Sequence, residues 1–227
     1  MAKRIPKENL ETDPLLTSYY IFTSFLKRNM TAVIVGSVAV LAFIGGGIGY
    51  YLHAESQEQQ AQELLVYAEE ALHQGNFEVA LQGGEGRVDV GFIDIISSYG
   101  RTSAGNLARF YAAVAESELG NYEEALRYIE AYRPVEGILG VGPLVLHGSV
   151  LANLHRYDEA SNAYEKAADW DVNDSTTPEY LLKAAQLAFE AGNNNRAKQL
   201  VERVLNDYEQ SEFAEQARRL HGMILAV

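Results

Sequence analysis

The chain is 227 residues long, enough for one domain of ordinary size and an anchor. It carries 18 Lys+Arg against 31 Asp+Glu, a formal net charge of −13, and it has no cysteine. The lack of thiols excludes disulfides, thiolate metal sites, a cysteine nucleophile and a lipoprotein anchor, and the acidic surplus argues against nucleic-acid binding because it repels phosphate backbones. The charge is also split along the chain. Residues 1–54 hold five bases and three acids, a net of +2, whereas residues 55–227 hold 13 bases and 28 acids, a net of −15.

Residues 1–28 are expected to form a cytoplasmic tail. Within it Asp13-Pro14 reads as a helix start, with Asp as N-cap and Pro at the first helical position. Leu15, Tyr19, Phe22 and Leu26 then recur at helical spacing before Lys27. That pattern fits a short interfacial helix and equally the slanted entry of a longer membrane helix.

Residues 29–54 contain no charged side chain, and Met30–Leu52 is an apolar run of 23 residues. At ~1.5 Å rise per residue it spans roughly 35 Å, sufficient to cross the hydrocarbon with some tilt. The run exceeds the ~7–15 residues of a signal-peptide core, and Leu52-His53-Ala54 is a poor small-x-small cleavage site, so the segment is predicted to be a retained transmembrane helix. Lys27 and Arg28 abut its start, whereas the next base is Arg87. The positive-inside rule then keeps the N-terminus cytoplasmic and puts residues 55–227 on the other side. Tyr50 and Tyr51 lie where an interfacial aromatic belt is expected. Ala42, Gly45, Gly46 and Gly49 form a small-residue face suited to close packing on another membrane helix, although glycine is common in such helices without that role.

Past the anchor one phrase recurs four times: Gly75-Asn-Phe-Glu-Val-Ala80, Gly120-Asn-Tyr-Glu-Glu-Ala125, His155-Arg-Tyr-Asp-Glu-Ala160 and Gly192-Asn-Asn-Asn-Arg-Ala197. The closing alanines stand 45, 35 and 37 residues apart. Each phrase follows one apolar helical stretch and opens another, which is the logic of a helical hairpin. Glycine ends the first helix in a left-handed turn, Asn or Asp starts the next, the aromatic fills the corner, and the alanine lets the helices approach. Gly83-Gly-Glu-Gly86 breaks the pattern after the first phrase, and a new apolar stretch follows through Val90, Phe92, Ile93, Ile95, Ile96 and Tyr99. Phe213, Ala217, Leu220 and Ile224 share one face of a last helix that is expected to cap the stack.

These repeats resemble the tetratricopeptide repeat (TPR) family, whose period is about 34 residues. The likeness covers most of residues 57–225 and is best in the third unit, where Leu144, Gly148, Leu151, Tyr157, Ala160, Tyr164 and Ala167 occupy the packing positions in register. The fold class implied is all-α: a single N-terminal transmembrane helix followed by a TPR-like helical-hairpin solenoid over residues 55–227. The family register implies a concave interaction surface at Leu107, Phe110, Val114, Glu118, Val145, Ser149, Asn153, Leu182, Gln186, Phe189 and Glu190. That set is apolar and acidic, without the basic clamp by which some TPR domains grip chaperone C-termini.

No residue pattern calls for catalysis, a metal or a cofactor. His53, His73, His147, His155 and His221 lack metal-ligand spacing. Ser97-Ser-Tyr-Gly-Arg-Thr-Ser103 lacks the lysine of a nucleotide-binding loop and is expected to be a loop and N-cap. Glu123-Glu124 and Asp158-Glu159 belong at helix starts, where they complement the dipole. The expectation is a non-enzymatic scaffold for protein–protein interaction. Its layout resembles the membrane-anchored ancillary subunit of the bacterial Sec translocon. The resemblance implies residence in the bacterial inner membrane, association with the export channel, and hand-over of emerging chains to periplasmic chaperones. The alternative is a structural or assembly subunit of another cell-envelope complex.

Overall fold

The computed structural model of the chain describes residues 14–86 and 89–226. Asp13 and Arg87, which figure in the N-cap and charge-bias expectations, lie outside the described residues. All regular structure in the described part is helical. The chain divides between Ser56 and Gln57 into two compact units.

In the first unit α1 (Pro14–Arg28) opens at proline, as expected. Asn29 interrupts the helix only in name, because its N–H donates to the Phe25 carbonyl and its own carbonyl accepts from Val33, both at 2.9 Å. The next helix, α2 (Met30–His73), contains the one stretch among the described residues that is long and apolar enough to cross a membrane. Its apolar side chains stand exposed, Phe43 at 85% and Leu41 at 68%. The helix does not stop at Ala54 but runs on to His73. The reason is local: residues 55–73 are rich in Glu, Gln, Ala and Leu, all good helix formers, and the first glycine after Gly49 is Gly75.

The second unit is a run of helical hairpins. Ala61, Leu65 and Ala68 from the C-terminal part of α2 share a buried cluster with Ala80 and Leu81 of α3 (Phe77–Gln82), and after α4 (Phe92–Tyr99) come α5 (Ser103–Glu118) and α6 (Tyr122–Glu130). A connection with a 3₁₀ turn at Ile138–Gly140 leads to α7 (Val141–Asn153) and α8 (Tyr157–Trp170). The stack ends with α9 (Thr177–Glu190), α10 (Asn194–Asp207) and α11 (Ala214–Leu225). Neighbours in sequence pack on each other, the contact pattern of a solenoid.

The four repeated phrases build one geometry four times. Gly75, Gly120, His155 and Gly192 all have φ between 57° and 78°. Each donates its N–H to the carbonyl three residues back, and the following residue donates to the carbonyl five back, at 2.8–3.1 Å. These paired bonds satisfy the orphan carbonyls at a helix end. The closing alanines then donate to the carbonyl four residues earlier at 2.9 Å, and all four are fully buried. Only Asn193 uses its side chain as an N-cap, accepting from the Arg196 N–H at 3.3 Å; Asn76 and Asn121 make no such bond. The core between helices is rich in alanine, with Ala61, Ala68, Ala108, Ala112 and Ala113 at 0% exposure. Small side chains let helices approach closely, so packing here is intolerant of added volume. Gly148 shows the same constraint: a Cβ there would stand 2.6 Å from the Tyr164 ring. Gly83, with φ 79°, ends α3 where the glycine-rich break was expected, and Phe92 and Ile95 of α4 are wholly buried. Ser97, Ser98 and Tyr99 belong to the last turn of α4 rather than to a loop, whereas Thr102 is the expected N-cap, accepting from Gly105 at 2.9 Å.

Candidate interaction surfaces

Among the described residues, two grooves of the second unit hold positions expected on the sequence. The first lies among α7, α9 and α11 and has a volume of about 690 Å³. It brings together Ser149, Asn153, Gln186, Phe189 and Glu190 from the surface expected on the sequence. Successive first helices of hairpins supply them, and the spacing of four residues from Ser149 to Asn153 and from Gln186 to Glu190 keeps each pair on one helix face. Asn153 donates from Nδ2 to the Ser149 carbonyl at 2.9 Å, which fixes its amide. Beneath them burial pushes the Tyr164 phenol up, against a hydrogen bond from Ser149 that pulls it down, so the ring stays neutral at physiological pH.

The same groove holds side chains that the sequence reading missed. Lys183 comes from α9, and α11 supplies Gln216, Arg219 and Met223. Among the described residues neither Lys183, Arg219 nor Glu190 has an ion-pair partner, so all three charges face the opening uncommitted. The expectation of a surface without bases is therefore corrected: α11 does cap the core through Ala217, Leu220 and Ile224, but its other face completes a groove. The adjacent pair Arg218-Arg219 was the available signal, since only Arg218 is taken up, by Glu215.

The second groove, about 840 Å³, runs between α5, the connection after α6 and the start of α7. Leu107 and Phe110 line it, again as expected, together with Tyr132, whose ring lies 5.9 Å from that of Phe110. Tyr111 also lines it and donates its hydroxyl to Glu69 Oε1 at 2.8 Å. Burial first, and then that carboxylate, push the Tyr111 phenol up to about 12.

The remaining expected positions lie elsewhere. Leu182 is only 3% exposed and belongs to the core of α8–α11, so it is corrected from contact residue to packing residue. Its neighbour in sequence, Leu181, is also buried, because α9 is covered on two sides by α8 and α10. Val114 and Val145 are half-buried against the core, and Glu118 is exposed in the last turn of α5; none of the three lines either groove. In the first unit Ala42, Gly45, Gly46 and Gly49 are exposed, and a Cβ on any of the three glycines would meet no atom within 4 Å.

Glu123-Glu124 and Asp158-Glu159 sit in the first turns of α6 and α8. Glu124 pairs with Arg127 and Glu159 with Arg156, both at 2.5 Å. Among the described residues no group of three or more His, Cys, Asp or Glu side chains is placed to hold a metal ion. Burial holds His147 below its ordinary range, hence neutral at physiological pH.

Residues 143–174 match the family model of the tetratricopeptide repeat. The matched stretch covers α7 from its third residue, all of α8, and the chain up to the approach to α9. No curated protein and no solved structure matches the chain.

Proposed function

We propose that the chain is a membrane-anchored, non-catalytic adaptor that binds other proteins through the groove of α7, α9 and α11. The observation that carries this reading is that the tetratricopeptide repeat at residues 143–174 supplies one wall of that groove, through Ser149, Ala152, Asn153 and Tyr164, while Lys183, Glu190 and Arg219 from beyond the repeat line it without ion-pair partners among the described residues. Charges without an internal ion pair can steer and orient a partner without first breaking a bond within the chain. The apolar part of α2 would serve as the anchor, in a bacterial cytoplasmic membrane with the repeat unit outside.

The layout of a basic flank, one apolar helix and a following repeat unit supports the Sec export channel as the membrane partner and periplasmic chaperones or emerging chains as soluble ones. Photo-crosslinking tests both levels. A crosslinker at Gln186 should trap soluble proteins, while one at Asn162, exposed on α8 outside either groove, should trap few. Equal products at both positions would count against the groove. Recovery of a different envelope complex, with no channel subunit among the products, would sink the Sec assignment and leave the adaptor reading intact.

A further inference from the structure

The groove between α5 and α7 has its own chemistry. Its floor is apolar and aromatic, formed by Leu107, Phe110 and Tyr132. Its lip is apolar and unusually exposed: Val135 at 45%, Ile138 at 57% and Leu139 at 76%. Such exposure normally disfavours a soluble surface unless something covers it. The lip is not loose. The Asn106 side chain clamps it by accepting from the Arg133 N–H at 3.0 Å and donating to the Arg133 carbonyl at 2.9 Å. Farther along, Trp170 of α8 donates its indole N–H to the Val135 carbonyl at 3.2 Å. Two side chains from two helices thus fix the backbone at Arg133 and at exposed Val135, where the lip begins.

The rim is basic. Arg101, ahead of α5, and Arg133, after α6, both line the groove. Arg109 of α5 donates from Nη1 to the Gly105 carbonyl at 3.3 Å, and its guanidinium pKa is lowered first by burial and then by the Arg133 charge. Among the described residues none of the three has an ion-pair partner, although residues 55–227 carry 28 acids. The carboxylate that does reach this corner, Glu58, is already committed to the N-terminus of α5, accepting from Ser103 at 2.6 Å and Ala104 at 3.0 Å.

We propose that this groove docks an extended segment of a partner protein in which bulky apolar side chains are flanked by acidic ones. The apolar residues fill the aromatic floor and cover Ile138 and Leu139, and the flanking carboxylates meet Arg101 and Arg133. Two arginines on separate segments ask for more than one carboxylate, which favours acidic side chains over a single chain terminus. Arginine suits them because its planar fork binds a carboxylate with two parallel hydrogen bonds. At about 840 Å³ the groove lies within the ~300–1,000 Å³ range of ligand pockets. An anionic membrane surface is the poorer occupant: it is extended, and a region with net charge −15 is repelled by it as a whole, whereas a short segment feels mainly the local arginines. This site is separate from the groove of α7, α9 and α11 and stands or falls without it.

The test uses the full chain in phosphatidylcholine nanodiscs against an immobilised library of heptapeptides with capped ends. Captured peptides should pair Leu, Ile or Phe with flanking Asp or Glu. Replacing their acids by Asn or Gln should weaken capture by about fivefold or more, as should Arg101→Gln with Arg133→Gln, and 0.5 M salt should do the same. Leu139→Asp, at a position 76% exposed and so harmless to folding, should abolish it. Asn162→Ala, exposed on α8 outside either groove, should leave it unchanged. Capture that ignores the acids or the arginines would overturn the proposal, as would no capture at all. So would binding to phosphatidylglycerol vesicles that depends on the same side chains while the peptides fail.

Discussion

At the scale of single residues, the hairpin corner is the position under the tightest rule. Four corners share positive φ, three held by glycine and one by His155 at φ 57°, the only non-glycine with positive φ among the described residues. An L side chain pays about 1–2 kcal/mol for that conformation. His155 recovers part of it through Nδ1 against the Tyr157 hydroxyl at 2.7 Å, with the two rings edge to face at 5.6 Å. The hydrogen bond is exposed, and such a bond contributes at the low end of roughly 0.5–1.5 kcal/mol. His155→Ala should keep the strain and lose the bond, whereas His155→Gly should lose both. Thermal melting of the full chain in neutral detergent should therefore rank glycine above alanine by about 1 kcal/mol, a shift of roughly 2–4 °C at this size. Gly120→Ala, with no atom within 4 Å of the added Cβ, should cost a similar amount by conformation alone. Were alanine to equal glycine at both positions, the left-handed corner would carry no energetic weight.

At the scale of elements, what could be read in advance depended on how local its cause was. The corners, the glycine-rich end of α3, the N-cap at Thr102 and the buried face of α11 each follow from residues a few positions apart, so spacing alone revealed them. That the membrane stretch and the helix expected before Gly75 form one continuous α2 was not legible, because a change from apolar to polar composition marks a change of solvent, not an end of helix. The second half of the groove lining was missed for a different reason. Lys183, Arg219 and Arg133 acquire their meaning only when α9 meets α11 and when Asn106 clamps a connection 27 residues away. Glu58 belongs to this class too, since it caps a helix that begins 45 residues later. A carboxylate accepting two N–H groups at a helix start gains from both the bonds and the dipole. Glu58→Ala should therefore cost about 1–2 kcal/mol, within the range for lost caps and charged hydrogen bonds. Amide exchange should quicken first at Ser103 and Ala104. An effect confined to α2, with those two amides still protected, would mean that Thr102 alone suffices to start α5.

At the scale of the whole molecule the decisive quantity is the distribution of charge along the chain. Lys27 and Arg28 stand immediately before the apolar part of α2, and no Lys or Arg occurs again until Arg87. Bases close to a membrane segment set its orientation, and acids contribute little, so the −15 of the distal region does not enter the rule directly. Each base retained on the cytoplasmic face also avoids being moved against the membrane potential, about 2.3 kcal/mol per charge per 100 mV. The proposed orientation is therefore N-terminus inside, with the repeat unit outside, and both grooves would then meet only extracytoplasmic partners. Expressed in a bacterial host, the protein should lose residues 55–227 to protease added to spheroplasts. Adding three lysines after His53 while replacing Lys27 and Arg28 with Gln should invert part of the population and protect it. Protection of the unmodified repeat unit until lysis would reverse the assignment, and the partners of both grooves would then have to be sought in the cytoplasm.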